Sequence, residues 1–186
     1  MIVIGIDPSL TGTGLCRLTD GKLLDKERDI SLIKTKPEGK QIKERIHRCR
    51  EIVSQIEIFC GLSKDIPVLL VIEGYAFRAQ GRVFDIGESG GLIRDCMLKT
   101  QEQFGTDIME VGPGQLKKFI TGKGNCEKDL ILKEIYKRYK MDFNNNNIAD
   151  AAGLALIGYS LYCISNNINI KLAPFQKEVL KTLEKG

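Results

Sequence analysis

Hydrophobic residues recur along this chain in two patterns. Apolar runs occupy residues 2–6, broken only by Gly5, and 68–72, and another short strand is predicted over residues 107–111. Such runs are typical of strands buried on both faces of a sheet. Between the first two runs, apolar residues recur every three or four positions, which predicts an amphipathic helix. Its apolar positions are Ile42, Ile46, Cys49, Val53 and Ile56.

Polar and glycine positions indicate how these elements connect. Asp20-Gly21 is a hairpin signal between residues 11–19 and 22–34, so the first three strands are predicted to form an antiparallel meander. Further helices are predicted after Gly91, Pro113 and Glu127, alternating with the later strands. The sequence therefore predicts an α/β fold whose mixed sheet is an antiparallel meander joined to parallel strands and flanked by helices.

Composition limits the class of protein. The 186 residues are 42% hydrophobic and 28% charged, which is enough for one sizeable core. No basic leader, cleavage site or membrane-spanning segment is recognised, so a cytoplasmic protein is expected. The formal charge of +4 permits a polyanionic partner without requiring one.

The six cysteines are scattered, and the chain has a single histidine, His47. No C-x-x-C pair is present, so we expect reduced core cysteines and no structural zinc site. His47 lies among charged residues of the first predicted helix, where a surface position is expected.

Two of the apolar runs end in a carboxylate, Asp7 and Glu73. Ligands of open α/β sheets bind beyond the carboxyl ends of the strands, so the two acids are expected at one site. Carboxylates brought together must share a proton or bind a cation. The alternatives are that Asp7 only begins a turn and that the two acids are unrelated.

A third acid, Asp150, lies in an alanine-rich helical segment three residues after Asn147. Residues three apart share one face of a helix, and small neighbours allow that helix to approach the sheet closely. The segment can thus bring Asp150 towards Asp7 and Glu73. Helix capping is the ordinary alternative role for such an acid.

Basic and aromatic residues form two candidate DNA-binding segments. The first follows Glu73 directly and contains Tyr75, Phe77, Arg78 and Arg82. Its arginines can neutralise phosphates while an aromatic ring stacks on bases. The second lies near two predicted helix starts and contains Lys117, Lys118, Lys123 and Lys128. The alternatives are that the aromatic rings of the first segment pack into the protein and that the lysines of the second form only a solvated basic face.

Taken in order, the motifs resemble those of the RuvC Holliday junction resolvases, over roughly residues 1–163. The motifs are Gly-Ile-Asp-Pro at 5–8, Ile-Glu at 72–73, Val-x-Pro-x-Gln-x-Lys at 111–117, Thr-Gly-x-Gly-x-x-x-Lys at 121–128 and Ala-Asp-Ala at 149–151. The resemblance implies an RNase H-like fold, a homodimer, Mg²⁺ or Mn²⁺, and paired nicking of four-way DNA junctions in recombination and repair. Residues 1–163 would form the nuclease domain, and residues 164–186 an extension that we expect to be helical.

By position, the resemblance makes Asp7, Glu73 and Asp150 catalytic carboxylates that bind metal. Two ions about 4 Å apart would activate water and stabilise the leaving 3′ oxygen, giving 5′-phosphate and 3′-hydroxyl ends. Lys117 and Lys128 would contact phosphates, and Tyr75 or Phe77 would probe the junction.

One position departs from the pattern, because many relatives have an acid where this chain has Asn147. Others have histidine there, and an amide oxygen can still contact a hard cation. Asp142 is a less favoured substitute for the missing acid.

Three other functions compete with a junction resolvase. Residues 7–12 also resemble the first phosphate loop of actin-like sugar kinases, although 186 residues leave no room for the second domain of those enzymes. A catalytically weakened junction-binding protein would account for Asn147. A related nuclease acting on other branched DNA or on RNA differs only in its substrate.

Overall fold

The computed structural model describes residues 1–36, 39, 41–61, 68–75 and 83–184, without the side chains of Val83 and Lys128. Its strands are β1 (Ile2–Asp7), β2 (Thr13–Thr19), β3 (Ile30–Ile33), β4 (Val68–Glu73) and β5 (Asp107–Val111). Its helices are α1 (Lys26–Asp29), α2 (Ile42–Cys60), α3 (Val83–Phe104), α4 (Pro113–Thr121), α5 (Lys128–Tyr139), α6 (Asn146–Ser165) and α7 (Pro174–Leu183).

The strands form a five-stranded mixed sheet in the order β3-β2-β1-β4-β5. β1 pairs antiparallel with β2 and parallel with β4, while β2–β3 is antiparallel and β4–β5 is parallel. At the turn that follows β2, Asp20 and Gly21 have φ values of 47° and 73°. Positive φ at both positions is what a two-residue type I′ turn requires. The predicted meander and mixed sheet are confirmed.

The strand predicted over residues 22–34 is wrong in its first half, where the chain forms the short helix α1 instead. The Asp25 side chain accepts a hydrogen bond from the Glu27 amide, and Asp29 accepts from the amides of Leu24 and Asp25. Such local side-chain bonds compete with a strand ladder, so between the Thr19–Lys22 bridge at the turn and Ile30–Ile33 the segment does not pair with β2.

α6 covers one face of the sheet, and α2 and α3 cover the other. On the α6 face, helix backbone lies directly on the strands. A Cβ added to Gly5 would lie 1.9 Å from the carbonyl oxygen of Ala151, and one added to Gly14 would lie 2.1 Å from that of Asn147. Only glycine at these two strand positions leaves room for the helix.

Among the described residues, α6 is the one helix long and apolar enough to cross a membrane by length and composition, which the sequence analysis missed. Within its most apolar window, 67% of the residues are buried inside the protein. α6 is buried against β1, β2 and β4 on one side and against α4 and α5 on another, and a helix enclosed in this way is apolar nearly all round.

α7, within the extension that follows residue 163, packs on α4 and α5. Val179 and Leu180 are buried in the core cluster on the α6 face. Gln176 is also buried, and its Nε2 donates a hydrogen bond to the Tyr139 hydroxyl of α5 at 2.7 Å. The tail is therefore held by both apolar contact and a satisfied buried amide.

Candidate active site

The parallel pairing of β1 and β4 places Asp7 and Glu73 at the same edge of the sheet. Ile6 is in register with Ile72, and each acid is the next residue of its strand. Asp7 is buried, with 6% of its surface exposed, whereas Glu73 is half-buried. The expectation that two neighbouring parallel strands end in these acids is confirmed by this register.

α6 brings the backbone of the segment that carries the third acid towards this edge. Its first turn lies on Gly14, the residue of β2 that pairs with Asp7. The side-chain amide nitrogen of Asn147 donates a hydrogen bond to the Gly12 carbonyl. The next turn of α6 lies on Gly5 through Ala151. Asp150 immediately precedes Ala151, so its backbone lies above the β1–β2 pair close to the end where Asp7 lies.

Helix capping does not account for Asp150. Asn145 is the N-cap of α6, and its side chain accepts hydrogen bonds from the amides of Asn147 and Ile148 at 2.9 and 3.2 Å. Since α6 begins at Asn146, Asp150 lies beyond the first turn, and the capping alternative is wrong. Asp142 lies before the helix and is exposed.

The turn that follows Asp7 is held by its own side chains and by α2. Thr13 donates to the Ser9 carbonyl at 2.8 Å, and Arg48 donates to the Leu10 carbonyl. Arg48 is 7% exposed and also donates to the Thr35 hydroxyl at 2.9 Å. Arg48 was not predicted as part of the site, although its spacing of four from the buried Ile52 places it on the buried face of α2.

The side chains predicted to bind metal all carry oxygen donors: the carboxylates of Asp7, Glu73 and Asp150 and the side-chain amide of Asn147. Because the Asn147 amide nitrogen donates to Gly12, its oxygen is the atom suited to a cation. Oxygen donors are what Mg²⁺ and Mn²⁺ prefer, so the chemistry of the set fits these ions. Within the described ranges, no three His, Cys, Asp or Glu side chains are already arranged as a metal-binding group.

The predicted DNA-binding residues that the structure describes lie on several different elements. Lys117 and Lys118 lie on α4 and Lys123 is exposed after it, while α5 begins at Lys128, whose side chain is outside the described residues. Lys118 is bonded to Glu178 of α7, with 2.6 Å between Nζ and Oε1. Phe77, Arg78 and Arg82 lie outside the described residues.

Tyr75 is 38% exposed, and the Arg94 guanidinium lies 4.1 Å from the centre of its ring. His47 is exposed, as expected, and all six cysteines are free thiols.

The family model described as crossover junction endodeoxyribonuclease RuvC matches residues 3–158. The chain belongs to the RuvC family. Relatives of that name include those of Synechococcus sp. strains WH7803 and CC9311, which are 24% and 26% identical. Each alignment covers 86% of this chain and 98% of the relative.

Solved structures show the same fold for this RuvC-family chain. The Thermus thermophilus RuvC structure superimposes with a TM-score of 0.63 at 19% identity, covering 90% of this chain and 98% of that one. T. thermophilus RuvC in complex with Holliday junction substrate gives a TM-score of 0.64 at 19% identity, covering 90% and 97%. The RNase H-like fold is therefore confirmed, and membership of the RuvC family replaces the sugar-kinase alternative.

Proposed function

We propose that this chain is a metal-dependent endonuclease that resolves four-way DNA junctions, with Asp7, Glu73 and Asp150 as its catalytic carboxylates. One observation carries the proposal: strand register and helix packing bring the three acid-bearing segments to one edge of the sheet. Membership of the RuvC family supports the reaction class. The T. thermophilus RuvC complex with a Holliday junction supports the substrate class.

Divalent metal would supply the water activation and the stabilisation of the leaving oxygen that phosphodiester hydrolysis requires. Asp7, Glu73 and Asp150 would hold it, and Asn147 would add an amide oxygen. Three carboxylates at one edge repel one another, and a bound cation reverses that repulsion. The buried Asp7 carboxylate is the ligand whose position is most restricted.

The rest of the chain keeps these acids in place. α6 rests on Gly5 and Gly14 without intervening side chains, so Asp150 cannot shift without moving helix backbone against strand backbone. The hydrogen bonds from Asn147 to the Gly12 carbonyl and from Arg48 to the Leu10 carbonyl fix the turn after Asp7.

Cleavage would leave a 5′-phosphate and a 3′-hydroxyl.

Replacing each proposed catalytic acid by its amide tests the assignment. Asp7→Asn, Glu73→Gln and Asp150→Asn should each reduce junction cleavage by more than about 10³-fold and leave junction binding intact, since charge rather than shape is lost. Asp142→Asn is the matched control, because this nearby acid is exposed and precedes α6. Full cleavage by any of the three variants would remove that residue from the site.

Substrate choice needs a separate comparison. Initial cleavage rates with Mg²⁺ or Mn²⁺ are measured on a four-way junction, a fork, a linear duplex and an RNA–DNA hybrid. A resolvase cuts the junction fastest, in paired nicks. Faster cutting of the fork or hybrid would favour the related nuclease. Saturable junction binding with no metal-dependent nicking of any substrate would favour the binding protein.

We also propose that the chain is a homodimer that contacts its second copy through α3. Phe84 is 91% exposed and Leu98 is 49% exposed, and together with Gly91 they recur at intervals of seven residues on one face of the helix. A Cβ added at Gly87 or Gly91 would meet nothing within 4 Å. A smooth stripe flanked by exposed apolar side chains suits close packing of one helix on another.

Leu98→Arg should convert the dimer to a monomer, because it places a charge on that stripe. Sedimentation equilibrium over a range of protein concentrations measures the change. Ile58→Arg is the matched control, since Ile58 is 77% exposed on the neighbouring helix α2. A monomeric unmodified chain, or a dimer unaffected by Leu98→Arg, would refute this interface.

We also propose that the protein acts in the cytoplasm, with its DNA substrate.

A further inference from the structure

Arg94 of α3 lies beside the carboxyl end of β4, although no sequence motif includes it. Its Nη2 donates a hydrogen bond to the backbone carbonyl of Glu73 at 3.2 Å. Its Nη1 donates to the Gly90 carbonyl, one turn earlier on α3, at 3.1 Å. A helix on the far side of the sheet from α6 therefore holds the backbone of the residue that carries a proposed catalytic carboxylate.

The same guanidinium binds the edge strand. Nε and Nη2 of Arg94 lie 2.8 and 2.6 Å from Oε2 of Glu110 in β5. The Arg94 side chain is 22% exposed and that of Glu110 is 50% exposed, so the ion pair is partly shielded from water. Because Glu73 is in register with Val111, the residue after Glu110, one side chain links α3 to the ends of both β4 and β5.

Tyr75 completes the arrangement. Its ring centre lies 4.1 Å from the Arg94 guanidinium carbon. Glycines make room for these contacts: a Cβ added to Gly90 would lie 2.9 Å from the Tyr75 ring, and one added to Gly74 would lie 3.0 Å from Oε1 of Glu110. The chain from Glu73 to Tyr75 is thus held at its carbonyl by a hydrogen bond and at its ring by a cation–π contact.

We propose that Arg94 is a positioning residue that sets the place of Glu73 at the metal-binding edge and the direction in which the chain leaves β4 through Tyr75. We call Arg94, Glu110, Tyr75 and the Glu73 carbonyl the Arg94 clamp. The inference rests on the proposed function, since it assigns Glu73 to metal binding. A displacement of a ligand by about 1 Å is enough to lower metal affinity or rate tenfold or more.

The clamp depends on the shape of the guanidinium as well as its charge. A planar guanidinium can donate to two carbonyls and a carboxylate while stacking on a ring, whereas a lysine ammonium is a compact charge without a flat face. Arg94→Lys should therefore keep the attraction to Glu110 and lose the bond to the Glu73 carbonyl and the stack on Tyr75.

The experiment compares Arg94→Lys with Arg45→Lys in the full-length chain. Arg45 forms an ion pair of the same type with Glu88 of α3, with 3.1 Å between Nε and Oε2, and both described hydrogen bonds of its guanidinium go to that carboxylate rather than to a strand carbonyl. The primary readout is the affinity of the DNA-free protein for Mn²⁺, titrated by electron paramagnetic resonance. We expect Arg94→Lys to weaken Mn²⁺ binding about tenfold and Arg45→Lys to leave it within twofold.

Junction cleavage is the second readout. Arg94→Lys should lower the single-turnover rate, measured with protein in excess over the junction, about 10- to 100-fold. Glu110→Gln removes the carboxylate charge that Arg94 binds, and it should lower the Mn²⁺ affinity and the cleavage rate by less than Arg94→Lys does. It replaces Arg94→Lys as the test variant if Arg94→Lys does not fold. Unaltered Mn²⁺ affinity in a folded variant overturns the inference. If the unmodified chain cuts no junction, the proposed function fails while the Mn²⁺ comparison still decides the clamp.

Discussion

The two faces of the sheet are built in different ways. On the α6 face, Gly5 and Gly14 let helix backbone lie directly on strand backbone, and a Cβ added to Gly158 would lie 2.7 Å from the side chain of Val71. On the other face, large side chains such as Ile6 and Ile52 separate the sheet from α2 and α3. Backbone contact restricts α6 to one position, whereas side-chain contact allows rotamer adjustment.

This difference assigns the two faces different parts in the candidate site. α6 carries the proposed ligand Asp150, and its backbone contact with the strands fixes the distance of that residue from the sheet. α2 and α3 supply no proposed ligand, but Arg48 and Arg94 each hold a carbonyl, those of Leu10 and Glu73, just beyond the ends of β1 and β4. The site is therefore placed by backbone packing on one side and by two arginine side chains on the other.

The largest expected effect comes from adding one methyl group to the α6 face. Gly5→Ala would place a Cβ 1.9 Å from a backbone oxygen, which no side-chain rotation can relieve. We expect the free energy of unfolding to fall by more than about 3 kcal/mol, at the upper end of overpacking effects. Urea unfolding followed by circular dichroism measures it.

The control for that variant is Gly124→Ala. The nearest atom to a Cβ added there is the carbonyl oxygen of Gly114, at an ordinary contact distance of 3.5 Å. Its free energy of unfolding should stay within about 0.5 kcal/mol of the unmodified chain. If Gly5→Ala were equally mild, α6 would be free to move away from the sheet, and the contrast between the faces would fail.

The positions of the acids could be predicted because they depend on local pattern. A run of apolar residues that ends in a carboxylate defines both a buried strand and the functional edge, and β4 and β5 have the bounds that the sequence indicated. The alanine-rich segment around Asp150 indicated a helix that can approach that edge, and the family resemblance then assigned this acid to the site. The assignment of metal binding to these residues remains a prediction.

The supporting contacts could not be predicted, because they join residues far apart in sequence. Arg48 reaches Leu10 across 38 residues and Arg94 reaches Glu73 across 21. Helical spacing can place an arginine on the buried face of a helix, but it does not show which distant carbonyl that arginine contacts. Likewise, nothing local to Lys118 indicates that Glu178, 60 residues later, would bond to it.

A smaller effect concerns alkaline stability. Burial, reinforced by the Asp29 charge, raises the pKa of Cys16 on the α6 face from 9.0 to about 12. Burial also raises the pKa of Cys60 on the α2 and α3 face to about 12. Above pH 9 the unfolded thiols lose protons that the native ones keep, so each should lower the free energy of unfolding by about 1.4 kcal/mol per pH unit between pH 9 and 12.

Urea unfolding at several values between pH 8.5 and 10.5 tests this slope. Cys16→Ala and Cys60→Ala should each make the slope shallower by the same amount, whatever their effect on stability at neutral pH. Cys126→Ala, at a half-exposed thiol, is the control. A slope that depends on which face carries the cysteine would show that the two faces do not exclude water equally.

The smallest expected effect separates two adjacent lysines of α4. Lys118 is bonded to Glu178 of α7, so we expect Lys117→Ala to weaken junction binding more than Lys118→Ala does. Glu178→Gln should release Lys118 and strengthen binding about two- to fivefold, because a partly exposed ion pair is weak. One more phosphate contact would also steepen the plot of log affinity against log salt by about 0.9.

Fluorescence anisotropy at several salt concentrations, without divalent metal, measures both quantities. Glu184→Gln is the matched control, because it removes the same charge just past the end of α7 without touching Lys118. If both variants strengthen binding equally, the effect is a general change of net charge. If only Glu178→Gln does, α7 restrains one side of the basic surface, which would make the tail part of DNA binding as well as of the core on the α6 face.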